Sequence, residues 1–155
     1  MPVDNILLQE GVITRLLGGL ATTVHIGLIS VVLSIPLGIL VGLFMTSNNK
    51  VVRAILRVYL EIVRVMPQLV LLFVVFFGTS EWFDVNFDGI GASIVVFTFW
   101  GAAELGDLVR GALESIPASQ YDSAFVLGLS RQQTFFKVIL PQAFKRLLPP
   151  AINLI

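Results

Sequence analysis

One stretch of the chain, from Leu16 to Asn49, carries no formal charge, and it constrains the fold more than any other feature. Its middle, from Ile26 to Phe44, consists largely of isoleucine, leucine, valine and glycine. About 20 consecutive apolar residues suffice for a helix to cross the hydrocarbon core of a bilayer. The stretch therefore predicts a transmembrane helix, and it is too long for the apolar part of a cleaved secretory signal.

The composition of the 155 residues excludes several classes of protein. Hydrophobic residues make up 56% and charged residues 13%, with a mean hydropathy of +0.92, which is far from the average for soluble domains. The formal net charge is zero and the ten basic residues form no dense cluster, which argues against nucleic-acid binding. With no cysteine and one histidine, we expect no metal site. No H-E-x-x-H or G-x-S-x-G motif is present, so we expect no catalytic residue and no enzyme activity.

Further apolar segments predict an all-α, polytopic transmembrane helical bundle in a single domain, 1–155. The second segment carries Arg53, Arg57, Glu61 and Arg64 in its first half, so only the part after Arg64 is fully apolar. We expect the charged half to project into the cytoplasm or to line a wet vestibule. The predicted spans are about 19–45, 58–78 and 90–113, with the start of a fourth at 143–155 and a cytoplasmic loop at 115–141.

The distribution of lysine and arginine predicts the orientation. Basic residues follow the first span and the third span, whereas the connection 78–91 contains acidic residues and no basic one. By the positive-inside rule the regions after the first and third spans are cytoplasmic, and the N-terminus lies outside. Arg15, near the N-terminus, is the one basic residue that does not fit this orientation.

The stretch from Ser115 to Pro150 predicts a short helical hairpin on the cytoplasmic face. Pro117 and Ser119 can start a helix that runs through Phe125, and Gly128 can end it in a left-handed conformation. Ser130 can cap a second helix, and we expect Pro141 to mark a break before the next one. The side chains expected to be available to a partner are Tyr121, Phe125, Val126 and Leu129.

This hairpin resembles the EAA loop of ABC importer permeases, whose pattern is E-A-A, three residues, G, nine residues and I-x-L-P. Asp122, Ser123 and Ala124 occupy the E-A-A positions, with Asp for Glu and Ser for Ala. The glycine is Gly128, and the last three conserved positions hold Val138, Leu140 and Pro141. The flanking residues look like those of the polar amino acid subfamily, which takes up histidine, glutamate, glutamine or arginine.

Further stretches carry the same resemblance over nearly the whole chain. They are Thr22-Thr23-Val24, Glu61 to Leu69, and Asp107 to Gly111. Val65 and Met66 replace the Gly and Thr of the family, and Asp107 replaces its Glu. Family members also continue beyond the Leu-Pro-Pro region, so by this resemblance the chain is truncated at its C-terminus.

The resemblance implies the transmembrane domain of a type I importer (MetI-like) in the cytoplasmic membrane of a bacterium. It implies a permease of an ATP-driven, binding-protein-dependent amino acid importer, with the hairpin as the coupling helix. The implied partners are two ATP-binding cassette ATPase subunits, a second identical or related permease and an extracellular amino-acid-binding protein. ATP and Mg²⁺ would bind to the ATPase, because this chain has no G-x-x-x-x-G-K-S/T motif. The residues implied to contact the ATPase are Tyr121, Asp122, Ser123, Ala124, Phe125, Gly128, Leu140 and Pro141.

The charged residues inside the predicted spans allow two interpretations. Glu104 and Asp107 are three residues apart and share a helix face, where they can line the translocation path and attract an ammonium group. They can equally be structural, with Asp107 paired to Arg110 and Glu104 to a basic residue of a neighbouring helix. Glu61 and Arg64 can likewise pair with each other or form part of a gate.

Two other functions remain open from the sequence. A permease for another substrate class, such as methionine or an oxyanion, would keep the hairpin and change the pocket. A small channel or carrier that works without ATP would have no use for a hairpin with this spacing.

Overall fold

The structure, a computed structural model, describes residues 11–154 and is helical over most of this range. The predicted domain 1–155 also includes residues 1–10 and Ile155, which lie outside the described residues. The helices, in chain order, are α1 (Val12–Met45), α2 (Lys50–Val65), α3 (Gln68–Phe83), α4 (Gly89–Glu114), α5 (Ala118–Val126), α6 (Arg131–Thr134) and α7 (Leu140–Leu154), with a π-helical turn (Phe135–Ile139) between α6 and α7.

Helices α1 and α4 are each long and apolar enough to cross a membrane by length and composition, and α2 with α3 adds a third candidate if the bent pair is one span. Helix α1 begins at Val12, earlier than the predicted residue 19, and it continues through Pro36. Helix α4 lies close to the predicted 90–113, and Asp88 caps its start by accepting a hydrogen bond from the Gly91 N–H at 2.7 Å.

Helix α4 is the centre of the bundle, because α1, α2, α3 and α7 all pack against it. Small residues four apart on α1 form the buried stripe that faces it, namely Ser30, Ser34, Gly38 and Gly42. Such a stripe lets two helix backbones approach closely. One apolar cluster joins the C-terminal half of α4 to Ile139 and Ala143, and a second joins Ala103 to α2 and to Met45.

The predicted second span, 58–78, is wrong as one continuous helix. The chain bends by 107° between α2 and α3, at Met66 and Pro67. Proline disfavours helical geometry at the residue before it, and Met66 is accordingly extended, with ψ 132°. The helix also continues past residue 78 to Phe83, where Asp84 ends it in a left-handed conformation, φ 53°. The connection to α4 is therefore shorter than the predicted 78–91.

The break expected at Pro141 is also wrong, because helical structure runs unbroken from Arg131 to Leu154. The π-helical turn just before the proline is the reason. Its wider turn lets the Leu140 N–H bond to the Phe135 carbonyl, five residues back, so the helix continues past a residue that has no N–H to donate. Helix α7 begins at Leu140, slightly before the predicted 143.

Candidate functional site

A network of four ion pairs connects α2 with α4. Arg64 donates from Nε to Glu104 and from Nη1 to Asp107, both at 2.8 Å. Asp107 also accepts from Arg110 at 2.6 Å, and Arg110 donates to Glu114 at 2.7 Å. The planar guanidinium of arginine suits this role because its donors point in several fixed directions at once.

The network resolves which charges pair. The structural interpretation of α4 is present, with Asp107 paired to Arg110 and Glu104 to a basic residue of a neighbouring helix. The expected pair of Glu61 with Arg64 is wrong, because the Arg64 side chain turns towards the two carboxylates of α4. Two carboxylates attract the Arg64 guanidinium more strongly than one does, and its planar fork of N–H donors can reach both of them.

A cavity of about 750 Å³ opens beside this network. Its lining includes all four residues predicted for the translocation path, Glu61, Arg64, Glu104 and Asp107. Arg57 also lines it; this residue belongs to the charged half that could line a wet vestibule, but it was not assigned to the translocation path. Its spacing was the available signal, since positions 57, 61 and 64 follow the three- and four-residue steps of one helix face. The transport role of these residues stays a prediction.

Within the described residues, Glu61 and Arg57 form no ion pair, so the cavity wall carries one carboxylate and one guanidinium that are not neutralised by contact. Across the part of the chain that the structure covers, no group of three histidine, aspartate or glutamate side chains is placed to hold a metal ion. The uncompensated side chains Glu61 and Arg57 therefore present charges of both signs to a polar solute in the cavity.

The hairpin has the local geometry that its sequence predicts. Helix α5 follows Pro117, and Gly128 adopts φ 75°, a left-handed conformation that glycine reaches without strain. The Leu129 N–H then bonds to the Ala124 carbonyl at 3.0 Å, which closes the C-terminal turn of α5. Ser130 and Gln133 form a capping box at the start of α6.

Three consecutive apolar side chains are exposed at the end of α5. Phe125 is 81% exposed, Val126 84% and Leu127 77%. Leu127 was not among the residues expected to face a partner, and Leu129, which was, is only half-exposed. Among soluble surfaces, such a contiguous apolar patch is typical of a binding site. We call Phe125, Val126 and Leu127 the hairpin tip.

The other residues predicted to contact an ATPase fall into three places. Tyr121, Asp122 and Ser123 are exposed on α5, whereas Ala124 is buried, with 2% exposure. Leu140 and Pro141 are exposed on α7 rather than on the hairpin. A second cavity, of about 440 Å³, lies in the angle of the hairpin and is lined by Tyr121, Asp122, Phe125, Leu129, Arg131, Thr134 and Phe135.

Comparison with known proteins identifies this arrangement. Residues 34–155, which include the hairpin and the ion-pair network, match the family described as binding-protein-dependent transport system inner membrane component. The chain belongs to this family. Membership confirms the resemblance to ABC importer permeases that the hairpin sequence indicated. The predicted all-α membrane bundle is confirmed as well.

Individual members of this permease family are moderately similar in sequence. The L-cystine transport system permease protein TcyB of Bacillus subtilis is 29% identical over 147 residues, which are 95% of this chain and 62% of that protein. The probable glutamine ABC transporter permease protein GlnP of Bacillus subtilis is 30% identical over 87% of this chain and 62% of its own length. The chain thus spans about three fifths of the length of these curated relatives.

A solved structure shares the fold of the permease. The crystal structure of an amino acid ABC transporter with histidines superposes with a TM-score of 0.79 at 25% identity. The match covers 88% of this chain and 64% of that one. The arrangement of α1 to α7 is therefore that of an ABC transporter membrane subunit.

Proposed function

We propose that this chain is the membrane-spanning permease subunit of an ATP-driven, binding-protein-dependent importer for amino acids. It sits in a bacterial cytoplasmic membrane with its N-terminus outside. The single observation that carries the proposal is the hairpin tip, whose three apolar side chains project from a hairpin held at the end of α4. Exposed apolar area of this kind on a hairpin whose basic residues, Arg131 and Lys137, outnumber its one acidic residue, Asp122, favours contact with a cytoplasmic protein.

The connection behind the hairpin supports a role in coupling. Helix α6, the π-helical turn and α7 are continuous from Arg131 to Leu154, so a displacement of the hairpin is passed along one helical rod. Closure of an ATPase dimer that holds the hairpin tip shifts this rod against α4. Alternating access follows when the two packings of the bundle differ in free energy by no more than the ATPase supplies.

The other components of the importer follow from the family to which the chain belongs. ATP and Mg²⁺ bind to a separate ATPase subunit, a second permease completes the membrane pore, and an extracellular binding protein delivers the substrate. An amino acid cargo is supported by the cavity beside Arg64, where charges of both signs match a zwitterion. The names of the relatives, which transport cystine or are assigned to glutamine, support the same class.

A single-cysteine crosslink tests the proposal directly, because the chain contains no natural cysteine. Phe125→Cys, carried in the cells that express the complete transporter, is treated with a short bifunctional thiol reagent. We expect an adduct whose second component, by mass spectrometry, is an ABC ATPase subunit. Phe83→Cys serves as the control, since Phe83 is 71% exposed but lies at the far end of α3.

A topology measurement completes this test. A membrane-impermeant thiol reagent added outside intact cells should label Phe83→Cys and leave Ser130→Cys unmodified until the cells are opened. Labelling of Ser130→Cys from outside, or repeated absence of any ATPase adduct at Phe125→Cys, would overturn the importer assignment.

A further inference from the structure

Helix α5 has little apolar anchorage to the membrane helices. Of its nine residues only Ala124 is buried, while Phe125 and Val126 point away from the bundle. One buried alanine contributes little, at about 25 cal/mol for each Å² of apolar surface removed from water. A helix that transmits force through so small a contact needs a second attachment.

The second attachment is a hydrogen bond from α7 to α5. The Gln142 Nε2 group donates to Gln120 Oε1 at 3.0 Å and to the Val138 carbonyl at 2.9 Å. A carbonyl oxygen can only accept, so it orients the Gln142 amide with nitrogen towards Val138 and sends the second N–H to Gln120. Ala143, the next residue, is buried in the apolar cluster that α7 shares with α4, and this packing holds this part of α7 in place.

One turn further along α7, Arg146 reaches the end of α4. Its Nη1 group donates to the Ser115 carbonyl at 2.6 Å and to Ser115 Oγ at 2.9 Å. A cation is favourable at the C-terminal end of a helix, where carbonyl groups lack intrahelical partners. Helix α7 therefore contacts the chain on both sides of the Pro117 turn, at Ser115 and at Gln120.

We propose that Gln142 and Gln120, together with Arg146 at Ser115, form a polar clamp that transmits the displacement of α5 to α4 and α7. These are positioning residues, and the inference rests on the proposed importer function. Without the clamp α5 can tilt about the Pro117 turn while the membrane helices stay in place. The ATPase then still docks and turns over, but a smaller share of the hydrolysis is converted into transport.

Reconstitution of the complete transporter in lipid vesicles tests the clamp, with ATP hydrolysis and amino acid uptake measured in the same sample. Gln142→Leu and Gln120→Leu remove the bond at nearly constant volume. Each should lower uptake per ATP hydrolysed by about fivefold, the factor expected for one net hydrogen bond. Because they remove the same bond, the double variant should be no worse than either single variant.

Matched variants separate transmission from folding. Gln120→Glu keeps an acceptor for Gln142 and should retain coupling, whereas Gln132→Leu, an equal change at an exposed position of α6, should leave uptake per ATP unaltered. Arg146→Met should lower uptake per ATP hydrolysed. Lys50→Met is the control, because it also removes one positive charge.

Two results would overturn the clamp. One is unaltered uptake per ATP in both leucine variants. The other is that hydrolysis, uptake and recovery of the ATPase with the permease fall in parallel, which would make the bond a requirement for assembly. Failure of the importer function itself is recognised separately, by the absence of an ATPase adduct at Phe125→Cys in the otherwise unaltered chain.

Discussion

Replacing Gly42 by alanine tests the close contact between α1 and α4. A Cβ atom at Gly42 would lie 2.5 Å from Cβ and Cγ1 of Val109 and 2.8 Å from the Gly106 carbonyl oxygen. Carbon atoms in favourable contact are about 3.5–4.0 Å apart, so the shortfall is roughly 1 Å. One of the opposing atoms belongs to the backbone, and a rotamer change cannot relieve that contact. The helices must separate.

The matched control is Gly27→Ala in the same helix, where an added Cβ meets no atom within 4 Å. Both changes gain the same helix propensity, about 0.8–1 kcal/mol, which cancels when the two variants are compared. Overpacking in a close contact costs about 1–3 kcal/mol. At roughly 2–4 °C per kcal/mol for a chain of this size, Gly42→Ala should unfold ~2–12 °C below Gly27→Ala.

Thermal unfolding of both variants in one detergent, followed by the fluorescence of the two tryptophans, gives the comparison. Circular dichroism at low temperature establishes that each variant is equally helical before heating. A melting temperature of Gly42→Ala that equals or exceeds that of Gly27→Ala would refute the close packing of the small-residue stripe on α4.

Three further predictions concern the ion-pair network and the hairpin. Arg64→Met leaves Glu104 and Asp107 without the cation of α2 and should lower the free energy of unfolding by about 1–2 kcal/mol, measured by denaturation in mixed micelles. Gly128→Val forces a β-branched residue to φ 75° and should abolish uptake while the chain still inserts into the membrane, whereas Gly128→Asn, which tolerates this conformation, should retain much of it. Ser130→Ala removes the capping box and should speed amide hydrogen exchange at the start of α6, in line with a loss of about 1 kcal/mol.

Each of these has a control or a contrary outcome. Arg57→Met removes a cation that forms no ion pair within the described residues, and equal destabilisation by both arginine variants would contradict a specific role of Arg64. An added Cβ at Gly128 meets nothing within 4 Å, so equal uptake by the valine and asparagine variants would exclude backbone conformation as the cause. Unchanged exchange in Ser130→Ala would show that α7 alone holds α6.

Much of the hairpin was predictable because its signals are local. Pro117, Gly128 and Ser130 each act on the backbone of their own few residues. Helix α5 begins and ends, and α6 begins, where these residues indicate. The prediction failed at Pro141, where an equally strong local signal is overridden by a π-helical turn that lies within a packed helix. The inclusion of Leu127 in the hairpin tip was not predicted, because it depends on which side of α5 packs on its neighbours.

The charged residues of the cavity were found from the sequence, but their partners were not. A charge inside an apolar segment is conspicuous because it is costly in a membrane, so Glu104 and Asp107 stand out in composition alone. Arg64 had a carboxylate three residues away and nevertheless pairs with two others 40 and 43 residues further along the chain. Spacing along a helix describes possible contacts of that helix and carries no information about which neighbour will face it.

By itself the sequence determined that the chain is a helical membrane protein, and where its hairpin bends, because hydropathy and backbone preferences act over about 20 residues or fewer. Only the tertiary structure decided the contact of Gly42 with Val109 and the partners of Arg64. These depend on the packing of helices that are distant in sequence. The free energy of such a contact depends on both helix surfaces, and the sequence of one helix does not specify which other helix it will contact.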